Sequence, residues 1–251
     1  MIDTHSHINM IKSKSSDEIV QNAIFSGVDR IIVPSAHPQD IEDVMSLIDK
    51  YDNVYGMLGI HPTECQNWTD DLTDKIIEYS KHKKIVAIGE IGLDYYWDKS
   101  NVEAQKEIFI KQIKLANNLN LPIAIHDRDA HKDTFDILKE YNKNSTVIMH
   151  CFSGSVELAR ECIKEGWYIA LGGVVTFKNA VKTKEVAKEI PLAYLLLETD
   201  APYLTPVPYR GEENQPAYVK YVAEEIAKIK EISVDEVDKI TTENTIKVFN
   251  L

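Results

Sequence analysis

Short runs of apolar, mostly β-branched residues alternate with amphipathic stretches along the whole chain. Runs of this kind, four to eight residues long, are typical of strands buried in a parallel sheet. Eight of them predict strands over residues 1–8, 30–34, 54–60, 85–91, 122–126, 146–150, 168–171 and 194–198.

The stretches between these runs have the apolar spacing of amphipathic helices. Helices are predicted over residues 16–25, 40–50, 70–82, 102–118, 130–141, 155–165, 180–189 and 215–230. Ser155 and Ser233 are predicted to be helix N-caps. Ser233 has Glu236 three residues on, a capping box that opens a last helix through Phe249. Eight such βα units in about 230 residues match the size of a (β/α)₈ TIM barrel. The predicted fold is therefore an α/β barrel with a C-terminal helix.

Composition favours one large domain. The chain has 251 residues, is 44% hydrophobic, and contains no Gly/Ser/Pro-rich or charge-block linker, so a single domain over residues 1–251 is expected. No signal peptide and no membrane-spanning apolar run are recognised. The three cysteines are too few and too irregularly spaced for a disulfide framework, which favours a cytoplasmic location.

The formal net charge of −12 argues against a protein that binds nucleic acid through a broad basic face. It does not exclude a phosphate-bearing substrate. Bound divalent cations would supply positive charge at the one place where a phosphodiester must lie.

Residues of metal-binding type end several of the predicted strands. His5 and His7 lie two residues apart, so in an extended strand both side chains point to the same face. A single histidine at a strand end is more often a hydrogen-bonded structural residue than a ligand, but the set is large: His5, His7, Glu90, His126, His150 and Asp200.

Only some folds bring these strand ends together. In a closed barrel the first and eighth strands are neighbours, so His5 and His7 can meet Asp200 at the C-terminal strand ends. An open doubly wound sheet is disfavoured because the first strand is not followed by a GxGxxG or GxxxxGK[ST] sequence. The pattern indicates a metal-dependent hydrolase.

Six segments also resemble one family. They are Asp3-Thr4-His5-Ser6-His7, Gly59-Ile60-His61-Pro62, the segment from Gly89 to Tyr95, Ile125-His126-Asp127-Arg128, the segment from His150 to Gly154, and the segment from Leu197 to Leu204. Together and in this order they closely resemble the TatD family of metal-dependent deoxyribonucleases. The resemblance extends from residue 3 to about residue 216, which is nearly the whole chain.

The resemblance implies a dinuclear site on a barrel of the amidohydrolase type. His5 and His7 would bind one cation, and His126 and His150 the second. Glu90 would bridge the two, and Asp200 would complete the first site. Imidazole and carboxylate ligands suit Zn²⁺, Mn²⁺ or Ni²⁺ better than Mg²⁺, yet the family is described as magnesium-dependent, so the identity of the two divalent ions stays open.

A mechanism follows from these assignments. Two cations about 3.5 to 4 Å apart would lower the pKa of a bridging water and neutralise the phosphoryl oxygens. Asp200 would accept the proton of the attacking water. Arg128 is expected either to bind phosphate or to form a salt bridge with Asp127 or Asp129. The resemblance gives His61 an active-site role without metal ligation, the alternative being a structural hydrogen bond.

Other residues are expected near the site with weaker support. Glu198 shares a strand face with Asp200 and is predicted to support a ligand rather than to be one. Substrate contact and a solvated loop position are alternatives for Asp94, Ser153, Lys178 and Arg210. Base stacking and core packing are alternatives for four aromatic loop residues: Tyr95, Tyr96, Trp97 and Tyr203. By strand alternation, Cys151 is expected to point away from the site.

Three functions remain open. The first is a deoxyribonuclease, most simply a 3′-to-5′ exonuclease on single-stranded DNA, with DNA as its only expected partner and no membrane or obligate protein partner. The second is a deacylase or esterase, such as a D-aminoacyl-tRNA deacylase, that uses the same metal site. The third is a non-catalytic barrel that keeps its metal for stability, which the intact Asp200 and the full ligand set disfavour.

Overall fold

A computed structural model describes residues 1–97 and 99–251. Within these residues, eight strands follow one another in the sheet in chain order. They are β1 (Ile2–Asp3), β2 (Arg30–Pro34), β3 (Val54–Leu58), β4 (Ile85–Asp94), β5 (Ile123–Arg128), β6 (Val147–Met149), β7 (Tyr168–Leu171) and β8 (Leu195–Leu197).

Helices separate the strands, and the last one ends the chain. They are α1 (Ser16–Phe25), α2 (Asp40–Lys50), α3 (Asp70–Tyr79), α4 (Val102–Leu119), α5 (His131–Tyr141), α6 (Val156–Lys164), α7 (Val181–Glu189), α8 (Val219–Lys230) and α9 (Val234–Phe249). The alternation of parallel strands with helices, closed by a C-terminal helix, confirms the predicted (β/α)₈ class.

The predicted bounds hold closely for β2, β7, α1 and α2, where apolar periodicity is strong. The side chain of Ser155 accepts from the Leu158 amide and that of Ser233 from the Glu236 amide, so both act as the predicted N-caps. The clearest difference is β1, which ends at Asp3; beyond it Ser6 forms only an isolated bridge, and a 3₁₀ helix spans Ile8–Met10.

The chain divides into two compact units, residues 1–33 with 151–251 and residues 34–150. The prediction of one domain over residues 1–251 stays a prediction. Within the described residues, no helix combines the length and apolar character that crossing a membrane requires.

In the first unit, β1 lies beside β8. The Thr4 amide donates to the carbonyl oxygen of Leu197 at 3.0 Å, and Ser6 forms a parallel bridge with Ala201. The predicted proximity of the first and last strands is therefore confirmed. Because the two strands are parallel, the residues that follow them meet at the same edge.

In the second unit, β3, β4, β5 and β6 pair in parallel, and the register between β4 and β5 shifts between Ile88 and Ile91. Beyond the shift, Gly92 pairs with His126, and a Cβ at Gly92 would lie 1.9 Å from the His126 carbonyl oxygen. Gly92 also has a φ of +149°, which side chains disfavour. This close approach lets β4 run on to Asp94, so that both Glu90 and Asp94 belong to it.

Candidate metal centres

Three predicted ligands come together in the first unit, and we call them the first cluster: His5, His7 and Asp200. The Nε2 atoms of His5 and His7 lie 3.2 Å apart. Asp200 Oδ1 lies 4.0 Å from the first of these nitrogens and 3.8 Å from the second. Both imidazoles are buried, so three donor atoms of the kind that bind cations face one point away from bulk water.

The spacing of these atoms fits a divalent cation. A circle through three atoms separated by 3.2, 3.8 and 4.0 Å has a radius of about 2.1 Å, which is the distance at which Zn²⁺ binds imidazole nitrogen and carboxylate oxygen. Mixed nitrogen and oxygen donors are also suited to Mn²⁺ and Ni²⁺.

A buried carboxylate behind the first cluster fixes the two strands that carry it. Asp3 accepts hydrogen bonds from the Thr199 amide at 2.9 Å and from the Thr199 hydroxyl at 2.6 Å. The Asp200 amide donates to the His5 carbonyl oxygen at 2.9 Å. Burial raises the pKa of Asp3 well above its usual value, although the Thr199 hydrogen bonds oppose the shift. These hydrogen bonds hold Thr199 and Asp200, which follow β8, against the residues at the end of β1.

The second cluster lies in the second unit and is centred on the buried Glu90. Its Oε1 atom lies 2.8 Å from His126 Nδ1, 3.6 Å from His150 Nε2 and 3.9 Å from His61 Nε2. One carboxylate oxygen is therefore faced by three imidazole nitrogens. His61, Glu90 and His126 bring ligand atoms within 4.8 Å of one another, and imidazole nitrogen with carboxylate oxygen suits a divalent cation.

His126 lies between two carboxylates. Its Nδ1 faces Glu90, and its Nε2 lies 2.9 Å from Oδ2 of the fully buried Asp94. Burial lowers the pKa of His126, but the hydrogen bonds to Asp94 and Glu90 outweigh it and raise the pKa to about 9. In the neutral ring, Asp94 would keep the proton on Nε2 and leave the Nδ1 lone pair for a cation.

Helix α4 fixes two of the strand ends that carry the second cluster. The side-chain amide of Gln105 accepts from the Asp94 amide at 2.9 Å and donates to the Asp94 carbonyl at 3.0 Å. Gln112 makes the same pair of bonds with Ile60, at 2.8 and 3.1 Å. Ile60 precedes His61. Both backbones are thus hydrogen-bonded where the sheet ladder ends.

The chain matches the family model described as TatD related DNase over residues 2–250. It belongs to the TatD family. The metal-dependent hydrolase YabD of Bacillus subtilis is 49% identical over 253 residues, which cover 100% of this chain and 99% of YabD. The metal-dependent hydrolase YcfH of Escherichia coli is 36% identical, with coverage of 100% and 96%. The family resemblance is confirmed, and this TatD-family chain is a metal-dependent hydrolase.

Solved structures confirm the fold class. The TatD homologue YJJV of Escherichia coli superposes with a TM-score of 0.93 at 33% identity, covering 100% of this chain and 98% of YJJV. An organophosphorus hydrolase from Deinococcus radiodurans shares the fold alone, with a TM-score of 0.67 at 12% identity.

The His61 ring faces Thr63 with one nitrogen and Glu90 with the other. Its Nδ1 accepts from the Thr63 amide at 3.3 Å and lies 2.8 Å from the Thr63 hydroxyl. A neutral ring whose Nδ1 accepts carries its proton on Nε2, the atom that faces Glu90. The TatD-family prediction of an active-site role without metal ligation is consistent with this tautomer, and stays a prediction.

Arg128 makes neither of the salt bridges considered from the sequence. Asp127 instead lies 2.8 Å from His131 Nδ1, and Arg128 forms no ion pair with any residue that the structure describes. Its guanidinium carbon lies 4.2 Å from the centre of the Tyr96 ring and 6.0 Å from that of Trp97. Arg128 is exposed, which leaves its N–H groups accessible to a ligand.

The four aromatic loop residues divide into two kinds. The Tyr95 hydroxyl donates to Asp133 at 2.8 Å, and burial together with this bond raises the pKa of Tyr95 to about 12. Tyr95 is therefore part of the loop's internal structure. Tyr96, Trp97 and Tyr203 are exposed by 54%, 70% and 50%, and the Tyr203 ring centre lies 6.5 Å from that of His7.

Several remaining predictions are resolved by their contacts. Glu198 is buried and accepts from the Cys151 amide at 2.7 Å, and its carboxylate also lies within 4.8 Å of a His5 nitrogen, so its predicted supporting role stays a prediction. Arg210 lies over the Phe177 ring at 3.9 Å, while Ser153 and Lys178 are exposed. Cys151 was expected to point away from the site, and this is wrong. Its sulfur lies within 4.8 Å of an Asp200 oxygen, because β6 ends at Met149 and a φ of +44° turns the chain at Cys151.

Sequence reasoning missed the supporting residues Asp3, Thr199, Gln105 and Gln112, and it left Asp94 as an undecided loop position. Asp3 carried a usable signal, since an acidic residue inside a buried strand needs hydrogen-bond donors. The glutamines carried none, because long polar residues on a helix are usually solvated.

We expect Asp94→Asn to weaken cation binding by the second cluster by about 10- to 100-fold, the usual effect of losing such an orienting partner. The asparagine amide would donate to His126 Nε2 and so favour the tautomer whose Nδ1 carries the proton. Calorimetric titration of the metal-free protein with Zn²⁺ or Mn²⁺ measures the change, and the first cluster should keep its affinity.

Two further readouts make this prediction specific. In the unmodified protein, second-cluster affinity should rise with pH up to about 9, because a cation must displace the His126 proton below that pKa. The matched control is Asp133→Asn, which loosens the same loop through Tyr95 without touching His126. Unchanged binding in Asp94→Asn, or equal losses in both variants, would contradict the assignment.

Proposed function

We propose that this metal-dependent hydrolase cuts phosphodiester bonds of DNA, trimming single strands in the 3′-to-5′ direction. The observation that carries the proposal is the position of Arg128. It extends from β5 two residues beyond His126, is exposed, and pairs with no carboxylate among the described residues. A planar cation beside a cluster of metal ligands is suited to a phosphodiester. The TatD related DNase description of the family model supports the same substrate.

Each cluster is proposed to hold one divalent cation. His5, His7 and Asp200 would hold the first, and Glu90, His126 and His150 the second. The sharing of Glu90 between both cations stays a prediction from the family resemblance. When bound, the cations would acidify water and neutralise phosphoryl charge. The donor atoms favour Zn²⁺, Mn²⁺ or Ni²⁺, with Mg²⁺ as the family's described metal.

The chain's own residues would perform the remaining steps. Asp200 would accept the proton of the attacking water, and the 14% exposure of its side chain in the first cluster supports this role. Arg128 would hold a non-bridging phosphate oxygen through its N–H groups. His61 would donate from Nε2 to a phosphate or water near Glu90.

The net negative charge of the chain favours the end of a single strand over a duplex as the substrate. With a net charge of −12, the surface away from the clusters repels phosphates, so few contacts contribute to affinity. We also propose that the enzyme is cytoplasmic, because its three cysteines are too few for a disulfide framework, and that it needs no obligate protein partner.

The direct test gives the metal-loaded protein two substrates side by side, single-stranded DNA and D-aminoacyl-tRNA. We expect release of nucleotides from the 3′ end of the DNA. Gel electrophoresis of an oligonucleotide labelled at its 5′ end would show this as progressive shortening. A circular single strand, which has no ends, is the matched control and should stay intact. Deacylation of the tRNA with intact DNA would reject the proposal in favour of a deacylase on the same site.

We expect Asp200→Asn to reduce turnover on DNA by about 10²- to 10⁴-fold, the range typical of losing a general base. The variant keeps the shape of the side chain but loses its charge and its ability to accept a proton. Asp71→Asn, at an exposed position in the first turn of α3, is the control for a lost negative charge. Near-normal turnover in Asp200→Asn would show that another residue accepts the proton.

A further inference from the structure

Three side chains of the second unit form an exposed surface, of which the proposed hydrolytic steps use only Arg128, and we call it the stacking platform: Tyr96, Trp97 and Arg128. The Tyr96 and Trp97 ring centres lie 5.0 Å apart with the rings perpendicular, and the Arg128 guanidinium lies over Tyr96. The two rings are exposed by 54% and 70%. Exposed aromatic area of this size next to a cation is typical of a binding surface.

The backbone of the platform is fixed by Asp94, the residue that also orients the proposed metal ligand His126. Asp94 Oδ1 accepts from the amides of Tyr96 and Trp97 at 2.9 and 2.8 Å, while Oδ2 holds His126. Tyr95, between Asp94 and the platform, is tied to Asp133. The carboxylate that fixes a proposed ligand therefore also fixes the two aromatic residues.

The platform adjoins the second cluster along β5. Arg128 follows His126 by two residues on this strand, so their Cα atoms lie about 7 Å apart. The ring faces can take a flat apolar group, and the guanidinium can take an anion beside it.

We infer that the stacking platform is a subsite for an unpaired nucleotide, with the base on the rings of Tyr96 and Trp97 and its phosphate on Arg128. The inference rests on the proposed function, and it explains why the enzyme would select single-stranded over duplex DNA. Stacking needs a free base face, which a single strand offers and a duplex covers with neighbouring base pairs. The occupant we propose is single-stranded DNA, the substrate of the proposed function.

The test measures binding without turnover. Fluorescence anisotropy of labelled oligothymidylate with phosphorothioate linkages, which resist hydrolysis, gives the affinity of the full-length, metal-loaded protein. We expect Trp97→Ala to weaken binding by about 5- to 100-fold, and Trp97→Phe to keep most of the affinity. Phe25→Ala, which removes an aromatic residue that is 94% exposed at the end of α1, should leave binding unchanged.

An abasic chain with the same number of phosphates separates stacking from other effects. In a double-mutant cycle, Trp97→Ala should weaken binding of oligothymidylate but not of the abasic chain. Equal losses on both chains, or duplex binding as tight as that of the single strand, would overturn the inference. In a parallel series, tighter binding of oligouridylate than of oligothymidylate would overturn the assignment of the platform to DNA.

Failure of the platform and failure of the nuclease proposal are distinguishable. Hydrolysis of an ordinary phosphodiester oligonucleotide by the unmodified protein tests the nuclease proposal alone. If the unmodified protein cleaves that oligonucleotide but Trp97→Ala binds the phosphorothioate oligothymidylate as tightly as the unmodified protein does, only the platform is rejected.

Discussion

Every feature of the candidate site depends on holding buried donor atoms close together at the ends of parallel strands. Imidazole nitrogens and carboxylate oxygens at separations of 2.8 to 4.0 Å are costly to remove from water unless a proton or a cation lies between them. In the second cluster the His126 proton has that role between Glu90 and Asp94. The same attraction that raises the pKa of His126 to about 9 prepares the cluster for a divalent cation.

Supporting hydrogen bonds make this convergence rigid. Asp3 ties Thr199 to the start of the chain, and Gln105 clamps Asp94 at the end of β4. Such partners restrict the ligand side chains to a few orientations, so little reorganisation is needed when a cation binds. Asp94 has a second consequence, because it also fixes the exposed loop whose rings could receive a base.

Much of the fold and the convergence of His5, His7 and Asp200 were predictable from sequence because both depend on local patterns and on the closed barrel. Apolar runs predicted the strands, and the spacing of His5 and His7 predicted a shared face. The partners of these residues were not predictable. Asp94 reaches His126 only because the register shifts before Ile91 and Gly92 allows a close approach, and neither effect has a local signature. Cys151 turned toward Asp200 because strand alternation stops where the strand stops.

The most direct test of the account is the number of cations that each chain holds. Elemental analysis of protein loaded with Mn²⁺ or Zn²⁺ and then freed of excess metal should give two per chain. His7→Ala should lose the first-cluster cation and keep the other, and His126→Ala should do the reverse. A single cation in the unmodified protein, or full occupancy in both variants, would contradict the claim that these strand ends form two metal centres.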